Sequence, residues 1–184
     1  MKGKLAALFL ALILTLSLPT AFAADSRIES VEYKGFGILK IEFTRDCDWY
    51  ASSVITLTDT SGTEIPYVFL GGEAEESYLR AETLTEDTEF SLDFTLGETR
   101  QNISLRAETG TKFKVDANGN TKERKEDDRC DLCRERGHDD DYCPQRIDAN
   151  TLPTNPDELA RLFDIDRCER CGGMGHDDDR CTGR

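Results

Sequence analysis

Apolar and polar residues alternate strictly through Phe90-Ser91-Leu92-Asp93-Phe94-Thr95-Leu96. That is the period of a β-strand, and it places Phe90, Leu92, Phe94 and Leu96 on one buried face. Leu39-Lys40-Ile41-Glu42-Phe43, Ile55-Thr56-Leu57 and Ile103-Ser104-Leu105 carry the same period. Ile65-Pro66-Tyr67-Val68-Phe69 is strand-like as well, but Pro66 has no N–H to give to a ladder, which predicts a sheet edge. Lys34-Gly35, Ser61-Gly62, Gly71-Gly72 and Gly97-Glu98 punctuate the runs as turns. About seven short strands between Arg27 and Val115, each with one buried face, predict a mainly β fold. The expected architecture is a β-sandwich of immunoglobulin-like type over residues 24–115.

The pattern changes at both ends of this region. Met1-Lys2-Gly3-Lys4 is a short basic start, Leu5 to Leu18 is almost continuously apolar, and Ala21-Phe22-Ala23 supplies a small-x-small cleavage site. Residues 1–23 are therefore expected to be a secretory signal peptide. The apolar run falls short of the roughly 20 residues of a membrane span, so an uncleaved anchor is the alternative and stable membrane insertion is not expected. The mature chain is expected to begin at Ala24 and to be secreted or otherwise extracytoplasmic, released or loosely surface-associated. At the other end, Asp116-Ala117-Asn118-Gly119-Asn120 leads into the charge run Lys122 to Asp128, which reads as a solvated linker over 116–129. The alternate oxygen ligands resemble the start of a calcium loop. Thr121 stands where such a loop needs Gly, however, and Asp127 where it needs Glu, so a turn is expected.

The chain holds 23 basic and 37 acidic residues, a net charge of −14. Loss of Lys2 and Lys4 with the leader would bring it to −16. Such a chain is repelled by phosphate backbones and by anionic membranes. The sandwich itself offers no chemistry: it has no His and a single Cys, Cys47, two residues before Trp49. A Cys close to a Trp is similar to antibody domains, which need a second Cys in the same sandwich; none is present, so Cys47 is expected to be a free or buried thiol. Asn102-Ile103-Ser104 is formally a glycosylation sequon inside a predicted strand.

The chemistry lies in a repeat. Cys130-Asp131-Leu132-Cys133-Arg134-Glu135-Arg136-Gly137-His138-Asp139-Asp140-Asp141-Tyr142-Cys143 returns at 168–181 as Cys168-Glu169-Arg170-Cys171-Gly172-Gly173-Met174-Gly175-His176-Asp177-Asp178-Asp179-Arg180-Cys181. Both copies read C-x2-C-x4-H-x4-C, and together they contain six of the seven cysteines and both histidines of the chain. Zn²⁺ prefers four ligands in a tetrahedron, drawn from thiolates and imidazoles. A C-x2-C turn brings two sulfurs to one side of the ion, and a tight loop returns a His and the last Cys to the other. Gly137 and Gly175, just before each His, suit a backbone that bends sharply, with room for positive φ. Such short segments have almost no apolar residues to bury, so metal must drive their folding; structural zinc contributes on the order of 10–16 kcal/mol in small peptides.

The two 14-residue modules resemble the CCHC zinc knuckles found in retroviral nucleocapsid proteins. That resemblance implies zinc ligands Cys130, Cys133, His138 and Cys143 in one knuckle (residues 130–143), and Cys168, Cys171, His176 and Cys181 in the other (168–181). The family's Gly after the second Cys is matched by Gly172 and replaced by Arg134. Family members commonly place aromatic or large apolar residues after the first Cys and after the His, where they stack on unpaired bases. Here those positions hold Asp131, Asp139, Glu169 and Asp177. Thr121 to Arg184 contains 12 basic and 18 acidic residues, a net of −6. The thiolates of two zinc sites would lower it to about −8, so nucleic acid is not the expected partner.

Other readings of the cysteines compete. Cys168 to Gly175 also fits the C-x-x-C-x-G-x-G pattern of the DnaJ-type zinc region, which implies one zinc shared by Cys130, Cys133, Cys168 and Cys171. A disulfide framework suits an oxidising compartment, but three cysteines per module cannot pair off internally. A thiol oxidoreductase using the C-x-x-C pairs is a further alternative, without the βαβ context such motifs accompany. Between the modules (144–167), Asn155-Pro156-Asp157-Glu158 reads as a capped helix start. Leu159, Leu162 and Phe163 share one face of that short helix, which is expected to pack on a knuckle or on the sandwich. Residues 182–184 end the chain.

The expectation is thus an exported, non-catalytic protein with two structural zinc ions. Its knuckles form an acidic module for interaction with a protein or cell-surface component. The triple-Asp runs Asp139–Asp141 and Asp177–Asp179 are expected to be solvated surface.

Overall fold

The computed structural model describes residues 26–46, 49–125, 129–176 and 178–181. Residues 1–23, where a signal peptide is expected, and Cys47 lie outside the described residues. Nine strands form two antiparallel sheets: β1 (Ile28–Gly35), β2 (Ile38–Phe43), β3 (Ser53–Asp59), β4 (Val68–Gly71), β5 (Glu76–Arg80), β6 (Glu89–Leu96), β7 (Thr99–Arg106), β8 (Thr111–Val115) and β9 (Thr121–Lys125). One sheet runs β4-β5-β2-β1-β8-β9 and the other β3-β6-β7. If β1 to β7 are lettered A to G, the order is ABED against CFG, the constant-type immunoglobulin arrangement, extended beside β1 by the β8–β9 hairpin. Among the described residues no helix is long and apolar enough to cross a membrane.

The period-two pattern does what it predicts. Ile41, Phe43 and Val31 from the large sheet meet Ile55, Leu57, Phe90, Leu92, Phe94, Leu96, Ile103 and Leu105 from the small one in a single buried cluster. Trp49, in the short helix α1 (Trp49–Ser52) that feeds β3, is fully buried among Phe43 and Phe69, and its indole N–H donates to the Glu73 carbonyl at 2.6 Å. Pro66 lies just before β4, which is an edge strand. The Asp116 carboxylate accepts from the Asn118 and Asn120 N–H groups at 2.8 and 2.9 Å, closing the β8–β9 turn. Asn102 is exposed on β7 and donates to Asp93 at 2.6 Å.

One feature departs from the sequence reading, and one meets the packing expected of the tail helix. Residues 121–125 belong to the sheet as β9, paired residue for residue with β8 from Thr111↔Lys125 to Val115↔Thr121. All five side chains are exposed, so the strand is held by its backbone ladder and carries no apolar signal. The outer face of the large sheet is also covered. Ile38 and Leu70 form a second core there with Tyr142, Ile147, Leu159, Ala160, Phe163 and Ile165 of the tail.

The tail helix α2 (Pro156–Leu162) builds that second core. Asn155 caps it, its side-chain oxygen accepting from the Asp157 N–H at 2.8 Å, and Pro156 opens the first turn, where a missing N–H costs nothing. Leu159, Ala160 and Phe163 are buried against the sheet. Phe163 stacks on Tyr142 at 5.1 Å and meets Phe36 at 5.7 Å. Arg167 then locks the strap: its guanidinium donates to the Leu70 carbonyl at 2.7 Å and pairs with Asp157 at 2.7 Å. The Gly72 N–H donates to Asp166 at 2.8 Å.

Candidate metal centres

Each Cys/His module begins with the same turn. The Cys130 N–H donates to the Glu135 carbonyl (3.0 Å) and the Arg134 N–H to the Cys130 carbonyl (2.9 Å). In the second copy Cys168 donates to Gly173 (3.0 Å) and Gly172 to Cys168 (2.7 Å). This geometry needs positive φ at the residue after the second Cys, and both copies supply it: 66° at Arg134 and 69° at Gly172. Arg134 holds a conformation that suits Gly, at a cost of roughly 1–2 kcal/mol. Gly137 and Gly175 are likewise left-handed, at 94° and 80°.

Those turns bring four ligand atoms together in each module. Cys130, Cys133, His138 and Cys143 form one group and Cys168, Cys171, His176 and Cys181 the other, with the ligand atoms of each group all within 4.8 Å of one another. The Nε2 atom of His138 lies 3.1 Å from Cys133 Sγ, and that of His176 lies 3.2 Å from Cys171 Sγ. A tetrahedron with zinc–sulfur and zinc–nitrogen bond lengths has edges of about 3.5–3.8 Å, so the quartets fit such an ion with small closure or relaxation. His176 Nδ1 sits 3.2 Å from the Met174 carbonyl. A carbonyl can only accept, so Nδ1 carries the proton and Nε2 is left with the lone pair that would ligate. The Gly173 N–H donates to Cys171 Sγ at 3.3 Å.

Without a cation the thiols differ. Burial, the largest influence on each, pushes Cys130 up to about 12. At Cys143 it is outweighed by hydrogen bonding from the Gln145 N–H and His138, and the thiol falls to about 7. All six described cysteines are free thiols. Among the described residues these two Cys3His groups are the convergent ones, and the four thiols of the shared-site scheme do not gather.

The triple-Asp runs are structural parts of the knuckles, which the sequence reading missed. Asp140 accepts from the Asp131 N–H at 2.7 Å, and Asp178 from the Glu169 N–H at 2.7 Å. The middle Asp of each run therefore caps the opposing Cys turn. Asp139 caps the 3-10 turn Asp140–Tyr142 and reaches Lys34 at 3.4 Å; Asp141 pairs with Arg146. Asp177 lies outside the described residues. The spacing held the signal: an Asp two residues after each ligating His recurs nine or ten residues from the turn it closes.

Both Cys/His modules dock on the sandwich through glycine. A Cβ on Gly110 would stand 2.3 Å from Gly137 Cα, so the loop before β8 and knuckle 1 touch backbone to backbone. A Cβ on Gly175 would lie 2.8 Å from Tyr50 Cβ, and the Gly175 N–H donates to the Gly72 carbonyl at 2.9 Å. No protein-family model, curated protein or solved structure matches this chain.

Proposed function

We propose that this is an exported, non-catalytic zinc protein in which two structural Zn²⁺ ions organise an acidic module for interaction with a protein or cell-surface component. The observation that carries the zinc reading is the convergence of two complete Cys3His quartets on an identical backbone frame. Three thiolates and one imidazole favour zinc over hard oxygen-seeking cations. Four protein ligands fill a tetrahedral shell and leave no position for a substrate or an activated water, which supports structural over catalytic metal. The metal's task follows from the docking: each ion holds the loop that presents Gly137 or Gly175 to the sandwich. The acidic surface and the Asp residues at the positions used for base stacking in knuckle families support a protein or surface partner over nucleic acid.

The test is metal content and free thiols on the mature protein, purified without chelator. Two zinc ions per chain, with six tail thiols freed only after chelation, are expected. One zinc, or none with the tail cysteines oxidised, defeats the proposal. For the interaction, the zinc-loaded chain should retain a partner from its own cell surface that the chelated chain releases. Retention unchanged by chelation would place the interaction outside the tail.

A further inference from the structure

We propose that the two sites have different duties: the first knuckle holds its zinc permanently, and the second is an exchangeable site that yields and takes up zinc. This rests on the zinc reading above and concerns how each ion is held.

The ligand sets are chemically identical, but their surroundings are not. In the first knuckle Cys130, Cys143 and His138 are 1%, 0% and 9% exposed, and only Cys133 is half-buried. In the second, Cys168 is buried, but Cys171 is exposed and both His176 and Cys181 are half-buried. Zinc leaves a thiolate site when a competing ligand reaches the ion and displaces its ligands one at a time. Buried ligand atoms block that approach, and exposed ones admit it.

The packing around those shared frames differs in the same sense. Tyr142, just before the last ligand of the first knuckle, is buried in the second core and stacked on Phe163, and Lys34 lies over its ring at 5.4 Å. After Cys143, the Arg146 and Ile147 N–H groups donate back to its carbonyl at 2.9 and 3.0 Å, and Ile147 is buried. Cys143 cannot swing off a metal without opening that core. The corresponding position before Cys181 is Arg180, and Cys171 is followed by Gly172-Gly173 where the first knuckle has Arg134-Glu135. The second loop is the freer backbone.

An acidic cleft borders the second module as well. Glu73, Asp166, Arg167, Glu169, Asp178 and Asp179 line a cleft of about 290 Å³ against this knuckle. Its carboxylates outnumber the single guanidinium, which is engaged with Leu70 and Asp157. Such a cleft raises the local concentration of divalent cations at the face of the module that carries Glu169 and Asp178.

The experiment loads the mature chain with two zinc ions and follows release to excess 4-(2-pyridylazo)resorcinol, with N-ethylmaleimide labelling mapped by peptide mass spectrometry. Release should be biphasic, one ion per phase, with the phases separated by about ten- to hundredfold, the range by which the shell around a metal site tunes its hold. Cys168, Cys171 and Cys181 should be labelled in the fast phase, and Cys130, Cys133 and Cys143 only in the slow one. Release of both ions in one phase, or earlier labelling of the first knuckle, overturns the inference and leaves the two-zinc reading standing. A chain that never holds two ions overturns that reading, and this inference with it.

Discussion

Gly110 is the point at which the proposed rigid docking of the first knuckle is most open to test. A methyl group there meets two separate penalties. Its φ of +77° puts an L residue in the left-handed region, at about 1–2 kcal/mol. Its Cβ would also lie 2.3 Å from Gly137 Cα, 2.8 Å from the Gly137 oxygen and 3.0 Å from its carbonyl carbon. These are backbone atoms that no rotamer change can move. Relieving the overlap requires the knuckle to retreat by about an ångström, a disturbance comparable to overpacking a core, about 1–3 kcal/mol. Gly110→Ala should therefore cost about 2–5 kcal/mol. Gly62→Ala is the matched control, because its φ is +82° and no atom lies within 4 Å of the new Cβ; it should cost the conformational part alone. Urea unfolding of the zinc-loaded protein, followed by the fluorescence of Trp49, the single tryptophan, measures both. If the two variants lose the same stability, the Gly110–Gly137 contact is not rigid and the docked knuckle is wrong.

Three further changes probe other parts of the molecule. Phe163→Ala empties the centre of the second core and should cost about 3–5 kcal/mol in the same unfolding assay, while hastening zinc loss from the first knuckle. Arg134→Gly should raise stability by about 1–2 kcal/mol, since it removes a left-handed side chain and only an exposed ion pair with Asp131 at 3.8 Å. Burial works to raise Glu42, but hydrogen bonds from Lys112 and Ser30, with the charges of Lys112 and Lys40, outweigh it and hold the carboxyl at about 2, below its ordinary 4.5. A lowered carboxyl stabilises the fold fully above its unfolded value and loses that contribution as pH falls through its folded value. Stability should thus decline between about pH 4.5 and 2, and Glu42→Gln should flatten that part of the pH–stability curve measured by urea titration.

What could be read from the chain followed from how local the signals were. Alternation exposed β2, β3, β6 and β7 because each buries one face against the opposite sheet. The ligand quartets were legible because each lies within 14 residues. Asn155 and Pro156 marked the tail helix because caps and first turns act within four residues. β9 left no trace in hydropathy, since Thr121, Lys122, Glu123, Arg124 and Lys125 are all exposed. The second core was hidden for the opposite reason. Ile38 and Leu70 sit on strands whose neighbours on that face include Lys40 and Tyr78, and their partners Tyr142, Leu159 and Phe163 come more than 70 residues later. No window on the sequence holds both halves of that contact.

The acidity of the knuckles changes meaning once these contacts are known. As a sequence, each Asp triplet reads as solvated surface. In the structure Asp139 faces Lys34, Asp140 and Asp178 close the Cys turns, and Asp141 pairs with Arg146. Much of this charge is therefore spent on holding the loops that converge the thiols. Asp139 caps the 3-10 turn Asp140–Tyr142 that follows His138, and the backbone N–H groups of Asp131 and Glu169 donate to Asp140 and Asp178. Asp166, Glu169 and Asp179 are exposed and line one cleft beside the second module. Under the exchange proposed for the second site, an incoming cation would meet these carboxylates on the face where Glu169 and Asp178 of that module join Glu73 and Asp166.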